Sequence, residues 1–176
     1  EDTYYADDPG VDRPVLRERV RAFAESRGWQ IARVLGEEAA ALPIPLEGEA
    51  PQHDLPTHGV AAGLFNATTG YSLPWAAHTA EFIAAQTDWV GLAERLNRLA
   101  RDSWAQQRFF RLLNRMLFKG AAPERRVQIF EAFYGHDDAL IGRFYAGRLT
   151  LADQLSVLAK GAPTVPALRA MRAALG

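Results

Sequence analysis

Residues 62–74 of the chain read AGLFNATTGYSLP, and this stretch decides how the rest of the sequence is interpreted. The overlapping run 59–65 is apolar and has the length of a short buried strand. Pro74 suits the first turn of a helix, for which Ser72 is the expected N-cap. We therefore expect a strand, a turn rich in glycine and threonine, and a helix that runs to about Gln86.

A turn of this kind directs several backbone N–H groups and the positive end of a helix dipole toward one place. A pyrophosphate, or the polar edge of a flavin ring, would be stabilised there. Gly63 and Gly70 allow the backbone to approach a ligand closely, and Thr68 and Thr69 add hydroxyl groups. The same spacing also fits an ordinary corner between a strand and a helix, which is common in proteins.

The residues before this stretch predict mixed secondary structure. Residues 1–6 resemble the end of a strand, and Asp12 is placed to cap a helix that stops at Gly28. Residues 30–35 and 42–46 are expected to be extended, with prolines placing the second segment at a sheet edge. The order of strand, helix and strand favours an α+β fold over a helical bundle.

The residues after this stretch have helical periodicity almost throughout. The candidate helices are 89–118, 123–134, 137–146 and 150–159. The last begins with a capping box in which Thr150 is followed three residues later by Asp153. The predicted fold class is thus α+β with a helix-rich C-terminal half.

Composition excludes several classes of protein and site. The 176 residues are 48% hydrophobic and 23% charged, as in a soluble globular domain rather than a disordered or fibrous chain. Cysteine is absent, and the four histidines have no metal-ligand spacing, so we expect no metal site. The sequence contains neither an apolar run of about 18 residues nor a secretory leader pattern.

The charge is distributed unevenly although the net charge is only -1. Residues 1–58 carry 12 acidic and 6 basic side chains, whereas residues 101–176 carry 6 acidic and 12 basic ones. An anionic surface therefore remains a possible partner for the C-terminal half. The near-neutral total and the lack of a binding motif argue against nucleic acid.

Several motifs together resemble the bacterial lycopene β-cyclases. In that family the stretch at 62–74 reads AGLFHPTTGYSLP, with His-Pro where this chain has Asn66-Ala67. Further similarities, in the same order as in the family, are Glu1-Asp2-Thr3, Arg27-Gly28-Trp29, Leu42-Pro43-Ile44, FFRLLNRMLF at 109–118 and RFYAGRLT at 143–150. The similarity extends over nearly the whole chain.

The resemblance implies a fragment of a larger FAD/NAD(P)-binding, Rossmann-type flavoprotein of the lycopene cyclase and geranylgeranyl reductase kind. The family's glycine-rich dinucleotide fingerprint does not occur in this sequence, and the chain does not begin with methionine. We therefore expect the C-terminal portion of such an enzyme. The implied domains are a substrate-binding region at 1–58, a strand–turn–helix returning to the FAD domain at 59–88, and a helical cap at 89–176.

The resemblance also implies the cofactor and its contacts. Family members use reduced FAD, with NAD(P)H as reductant, to stabilise a cationic transition state without net redox change. The contacts implied in this chain are Gly63, Thr68, Thr69, Gly70, Tyr71 and Ser72. The implied location is peripheral, on the cytoplasmic side of the bacterial membrane.

The family reaction is an isomerisation that closes β-ionone rings at the linear ends of lycopene and related carotenoids. A carboxylic acid in an apolar pocket protonates the chain end, because burial favours the neutral, proton-donating carboxyl group. The acidic motif of the family matches Glu1-Asp2-Thr3, so Glu1 is the predicted general acid and Asp2 the alternative.

The helix around residues 102–119 has an apolar stripe and a basic side. It fits either a core-packed helix with a solvated basic face or an interfacial helix on anionic lipid. The residues predicted for a membrane surface or substrate channel are Trp104, Phe109, Phe110, Leu113, Met116 and Leu117. Two other functions stay open: a catalytically inert helical module that binds membrane or a partner, and a related flavoprotein reductase.

Overall fold

The computed structural model describes Asp2 and residues 10–161. The chain divides into two compact units, Glu1–Pro43 and Ile44–Gly176.

The first unit contains one helix, α1, at Arg13–Ser26. Asp12 caps this helix as the sequence predicts, since its Oδ1 accepts a hydrogen bond from the Val15 N–H at 3.1 Å. In this first unit, the described residues after α1 form no regular secondary structure. Trp29 packs edge-on against Phe23 of α1, with 6.0 Å between the ring centroids.

The second unit is built from helices. They are α2 at Leu73–Ala84, α3 at Leu92–Gln106, α4 at Arg108–Arg115, α5 at Arg126–Tyr134, α6 at Asp138–Tyr145 and α7 at Leu151–Gly161. Short 3₁₀ turns lie at Gly59–Ala62 and Pro123–Arg125, and a π-helical turn at Met116–Gly120 continues α4. Within the described part of the chain, every helix is too short or too polar to span a bilayer.

The strand predictions are wrong for the described residues, none of which is in a strand. The run 59–65 begins as a 3₁₀ turn because Gly59 and Gly63, at φ +68° and +72°, bend the backbone out of the extended region. Residues 30–35 and 42–46 are irregular, without a neighbouring strand to pair with. The strand expected at residues 1–6 lies outside the described residues except for Asp2. The helix-rich half of the prediction is confirmed, and the β half is not.

The long helix predicted at 89–118 is divided near its centre. Gln107 separates α3 from α4, with φ −87° and ψ 16°. Its side chain accepts a hydrogen bond from the Ala67 N–H. The capping box of α7 is confirmed, because the Thr150 N–H donates to Asp153 Oδ2 and the Asp153 N–H donates to Thr150 Oγ1.

Two apolar clusters form the core of the second unit, and the stretch 62–67 contributes to both. One contains Ala50, Ala62, Leu64 and Ala100, with Trp75, Leu99 and Trp104 packed against it. The other contains Ala67, Phe110 and Phe144, with Leu113, Phe133, Tyr145 and Leu149 around it. The turn singled out by the sequence therefore lies between the two clusters.

Candidate functional site

The turn at residues 66–71 is organised around the side chain of Asn66. This amide is fully buried and donates from Nδ2 to the Phe144 carbonyl oxygen at 2.7 Å. Its Oδ1 accepts from the N–H groups of Thr68 and Thr69, at 2.9 and 3.1 Å. One asparagine thus fixes the turn internally and also connects it to α6.

Two further buried amides, from the α3–α4 junction and from α4, hold the same turn. Gln107 accepts from the Ala67 N–H at 2.7 Å and donates to the Phe65 carbonyl oxygen at 2.8 Å. Asn114 donates from Nδ2 to the carbonyl oxygens of Ala67 and Pro45, at 2.7 and 2.9 Å. Its Oδ1 is buried and has no hydrogen-bond partner among the described residues.

The remaining N–H groups of the turn are also bound within the chain. The Gly70 N–H donates to the Asn66 carbonyl oxygen, and the Tyr71 N–H donates to Thr69 Oγ1 at 3.2 Å. All N–H groups from Ala67 to Tyr71 therefore have internal acceptors. The turn does not direct these groups at a ligand, contrary to the expectation drawn from spacing.

Gly63 and Thr68 also make contacts inside the protein. A Cβ on Gly63 would lie 3.0 Å from Pro51 Cδ and 3.6 Å from Trp104 Cε3. Glycine is required there by packing as well as by its positive φ. Thr68 donates from its hydroxyl to the Phe110 carbonyl oxygen at 3.2 Å.

The accessible edge of the predicted cofactor site is at its C-terminal end. Tyr71 is 41% exposed, and its ring packs edge-on against Tyr145 at 6.0 Å. Ser72 occupies the N-cap position of α2, as predicted, but its side chain makes no capping hydrogen bond. The role of these residues in flavin binding stays a prediction.

The segment RFYAGRLT at 143–150 supports the turn from the other side. Arg143 forms a bidentate ion pair with Asp153 of α7, at 2.8 and 2.7 Å. The guanidinium and the Thr150 N–H hold the pKa of the Asp153 carboxyl well below its usual range. Tyr145 shares a hydrogen bond of 2.7 Å with the Tyr134 hydroxyl.

The residues predicted for a membrane surface or channel are packed into the second unit. Phe110 and Leu117 are buried, whereas Trp104, Phe109, Leu113 and Met116 are half-buried. Their packing supports the reading of α4 as a core helix, although its other side is basic. On that side, burial and the neighbouring Arg115 and Arg108 lower the pKa of Arg111.

Of the two acid candidates, only Asp2 is described. Its Oδ2 lies 2.9 Å from Arg19 Nε, so this carboxylate forms an ion pair within the first unit. Glu1 lies outside the described residues. Within the described ranges, no three carboxylate or imidazole groups are placed to hold a metal ion.

Comparison with known proteins identifies the family. Residues 1–172 match the family described as lycopene cyclase protein. The chain belongs to this family. It is 42% identical to a lycopene beta-cyclase of Pantoea ananas over 98% of its length, and 44% identical to one of Pseudescherichia vulneris over 99%. A third relative, the lycopene beta-cyclase of Paracoccus sp. (strain N81106 / MBIC 01143), is 40% identical over 98% of the chain.

The chain spans about half the length of these curated lycopene cyclases, covering 47%, 47% and 46% of them respectively. No solved structure matches the chain significantly. Family membership therefore rests on sequence similarity.

Gln107 and Asn114 are the site residues that sequence reasoning missed. A signal for them exists, because two amides seven residues apart interrupt the apolar stripe that includes Phe110 and Leu117. A polar side chain on the buried face of a helix must find a hydrogen-bond partner. The seven-residue spacing of Gln107 and Asn114 could therefore have indicated that another segment of the chain binds to this face of the helix.

Proposed function

We propose that the chain is the part of a lycopene β-cyclase that helps to form β-ionone rings from the linear ends of lycopene. The observation that carries the proposal is the 40–44% identity to three lycopene beta-cyclases over nearly the whole chain. All three bear the cyclase name, which favours this activity over that of a related flavoprotein reductase. The packed interior of the second unit and its fixed turn fit a positioning role in that enzyme.

The proposed reaction begins with proton transfer from Glu1 to the carotenoid end. The resulting cation is attacked by the neighbouring double bond, which forms the ring carbon–carbon bond, and loss of a proton gives the ring double bond. No atoms or electrons are gained or lost overall. Asp2 is the alternative candidate for the acid, and its carboxylate forms an ion pair with Arg19.

FAD, with NAD(P)H as reductant, remains part of the proposal through the family resemblance. The turn at 66–71 does not fit a pyrophosphate, since its N–H groups from Ala67 to Tyr71 are bound internally. We expect a flavin contact to use the accessible groups of this segment, which are the half-buried Thr69 and Gly70, the exposed Tyr71 ring and the Ser72 hydroxyl. Gly63 is buried and Thr68 is hydrogen-bonded to the Phe110 carbonyl, so we expect these two residues to support the flavin contact indirectly, by holding the turn in place.

A peripheral location on the cytoplasmic side of the bacterial membrane is likewise proposed by resemblance. The described surface supports it through basic side chains rather than through the predicted apolar ones. Arg108 is exposed on α4, and Lys119 is exposed on the π-helical turn that follows. Cations near an anionic bilayer surface each add about 1 kcal/mol to binding.

A chimera tests the proposed activity. The segment of the Pantoea ananas enzyme that corresponds to this chain is replaced by residues 1–176, and the chimera is produced in a lycopene-accumulating bacterium. We expect lycopene to be converted to carotenoids with β-ionone rings, measured by chromatography of the extracted pigments. Unchanged lycopene with a soluble, folded chimera would contradict the cyclase proposal.

The same chimera tests the acid. Glu1→Gln should reduce conversion at least about a hundredfold, because a general acid contributes on that order. Glu38→Gln is the matched control, since Glu38 is an exposed carboxylate of the same unit. Equal conversion by the Glu1→Gln and Glu38→Gln chimeras would exclude Glu1 as the proton donor.

A further inference from the structure

Among the described residues, the buried cation Arg111 on α4 has no carboxylate partner. The residue is 7% exposed, and no acidic group of the described residues forms an ion pair with it. One of its N–H groups donates to the Trp104 carbonyl oxygen at 2.6 Å. Its Cζ lies 4.6 Å from the centroid of the Trp104 ring, so the indole covers one face of the guanidinium.

The charges around Arg111 make its burial less favourable. Arg108 and Arg115 stand about one helical turn to either side on α4, and both repel its positive charge. Burial of a charge is costly unless an opposite charge compensates it. Among the described residues, that compensation is missing.

The contact with Trp104 gives Arg111 a structural role, but this role explains only part of the clustering of arginines around it. The Trp104 carbonyl belongs to the last turn of α3, where a cation is favourable. This role uses one of the five donors of the guanidinium. It does not account for a second arginine one turn away. Within the described part of the chain, the exposed Arg108 makes one long hydrogen bond, of 3.3 Å, to the Ala105 carbonyl oxygen.

We propose that Arg108 and Arg111 form a binding site for a phosphate group. The guanidinium fork matches two phosphate oxygens, and the Trp104 ring holds the Arg111 fork in one orientation. Arg108 supplies a second cation from the adjacent turn, and Arg115 adds positive potential. The phosphate belongs either to an anionic lipid headgroup or to a soluble phosphate compound such as a nucleotide.

The experiment measures binding to the 176-residue chain with three probes. These are vesicles of phosphatidylcholine with phosphatidylglycerol, inorganic phosphate, and ADP; vesicles of phosphatidylcholine alone report binding without the anionic group. Arg108→Gln is the main variant, because Arg108 is exposed and its loss leaves the core intact. Arg111→Gln is the second variant, with circular dichroism to establish that it folds.

Arg98→Gln is the matched control, since it removes the same charge from α3, where Arg98 pairs with Glu94 at 3.4 Å. We expect Arg108→Gln to weaken binding about tenfold, the value of one charge-assisted hydrogen bond, and Arg98→Gln to leave it nearly unchanged. If Arg108→Gln weakens binding to anionic vesicles but phosphate and ADP do not bind, the site takes the phosphate of a lipid headgroup. If Arg108→Gln weakens binding of phosphate or ADP, the site takes a soluble phosphate compound. Binding of none of the probes, or equal binding by the Arg108→Gln and Arg98→Gln chains, would overturn the proposal.

Discussion

Gly147 lies directly against the indole ring of Trp75. A Cβ at position 147 would be 2.7 Å from both Cη2 and Cζ2 of that ring. The ring itself is held by a hydrogen bond of 2.9 Å from Trp75 Nε1 to Ser103 Oγ on α3. The segment after α6 is thereby packed against the start of α2, the helix that follows the candidate site.

We predict that Gly147→Ala destabilises the protein by about 2–4 kcal/mol. The φ of +67° at Gly147 is unfavourable for any residue with a Cβ, and the added methyl group would overlap the Trp75 ring. Urea unfolding followed by circular dichroism measures the change.

The control for this substitution is Gly142→Ala within α6. A Cβ at Gly142 meets no atom within 4 Å, and alanine is the better helix former there. We expect this variant to be as stable as the wild type or more stable by roughly 0.5–1 kcal/mol. If both substitutions lowered the free energy of unfolding by similar amounts, the contact with Trp75 would not be the reason that position 147 requires glycine.

The ion pair between Arg143 and Asp153 predicts a pH dependence of stability. Because the pKa of Asp153 is lowered in the folded protein, its stabilising contribution is fully present above the unfolded value of about 3.9. The contribution is lost as the pH falls from there toward the lower folded value. We therefore expect Asp153→Asn to be less stable than the wild type at pH 7, with the difference shrinking below about pH 4.

Thermal unfolding at several pH values measures this difference. Asp54→Asn serves as the control, because Asp54 is exposed and forms no hydrogen bond or ion pair within the described ranges. A difference between wild type and Asp153→Asn that stays constant from pH 7 to pH 3 would contradict the assignment.

The parts of the fold that sequence reasoning predicted depend on neighbouring residues. The Asp12 cap, the Thr150–Asp153 capping box and the start of α2 beside Pro74 are each set within a few positions. Short-range features of this kind can be predicted from sequence because the residues that identify a cap or a helix start also form its hydrogen bonds in the folded protein.

The conformation of the candidate turn depends instead on distant residues. The run 59–65 resembles a strand, yet its last residue, Phe65, and the nearby Ala67 form hydrogen bonds with Gln107, about 40 positions further along the chain. Apolar composition cannot distinguish a strand from a turn held by such side chains. The division of the helix predicted at 89–118 has the same cause, since Gln107 stands at the break.

We predict that Asn66→Ala loosens the turn more than it disturbs the rest of the second unit. The substitution leaves the Phe144 carbonyl and the N–H groups of Thr68 and Thr69 without their partner, each at a cost of about 1–3 kcal/mol where buried. Hydrogen–deuterium exchange should show faster exchange at residues 67–71 than in α3. Thr57→Ala, which removes only a local bond to the Leu55 carbonyl, is the control. Unchanged protection of the turn would show that Gln107 and Asn114 suffice to hold it.

Asn114→Asp tests the buried amide directly, because it keeps the shape of the side chain and removes both donors. A carboxylate there would face the carbonyl oxygens of Pro45 and Ala67 without solvent, so we expect a loss of about 3–5 kcal/mol at pH 7. Burial would raise the pKa of the new carboxyl, so the penalty is smallest below the unfolded value of about 3.9 and grows as the pH rises. Urea unfolding at pH 4 and pH 7 measures both effects, with the exposed Gln128→Glu as a control for the added charge. If Asn114→Asp matched Gln128→Glu at both pH values, the two hydrogen bonds from Asn114 would contribute nothing to holding the turn.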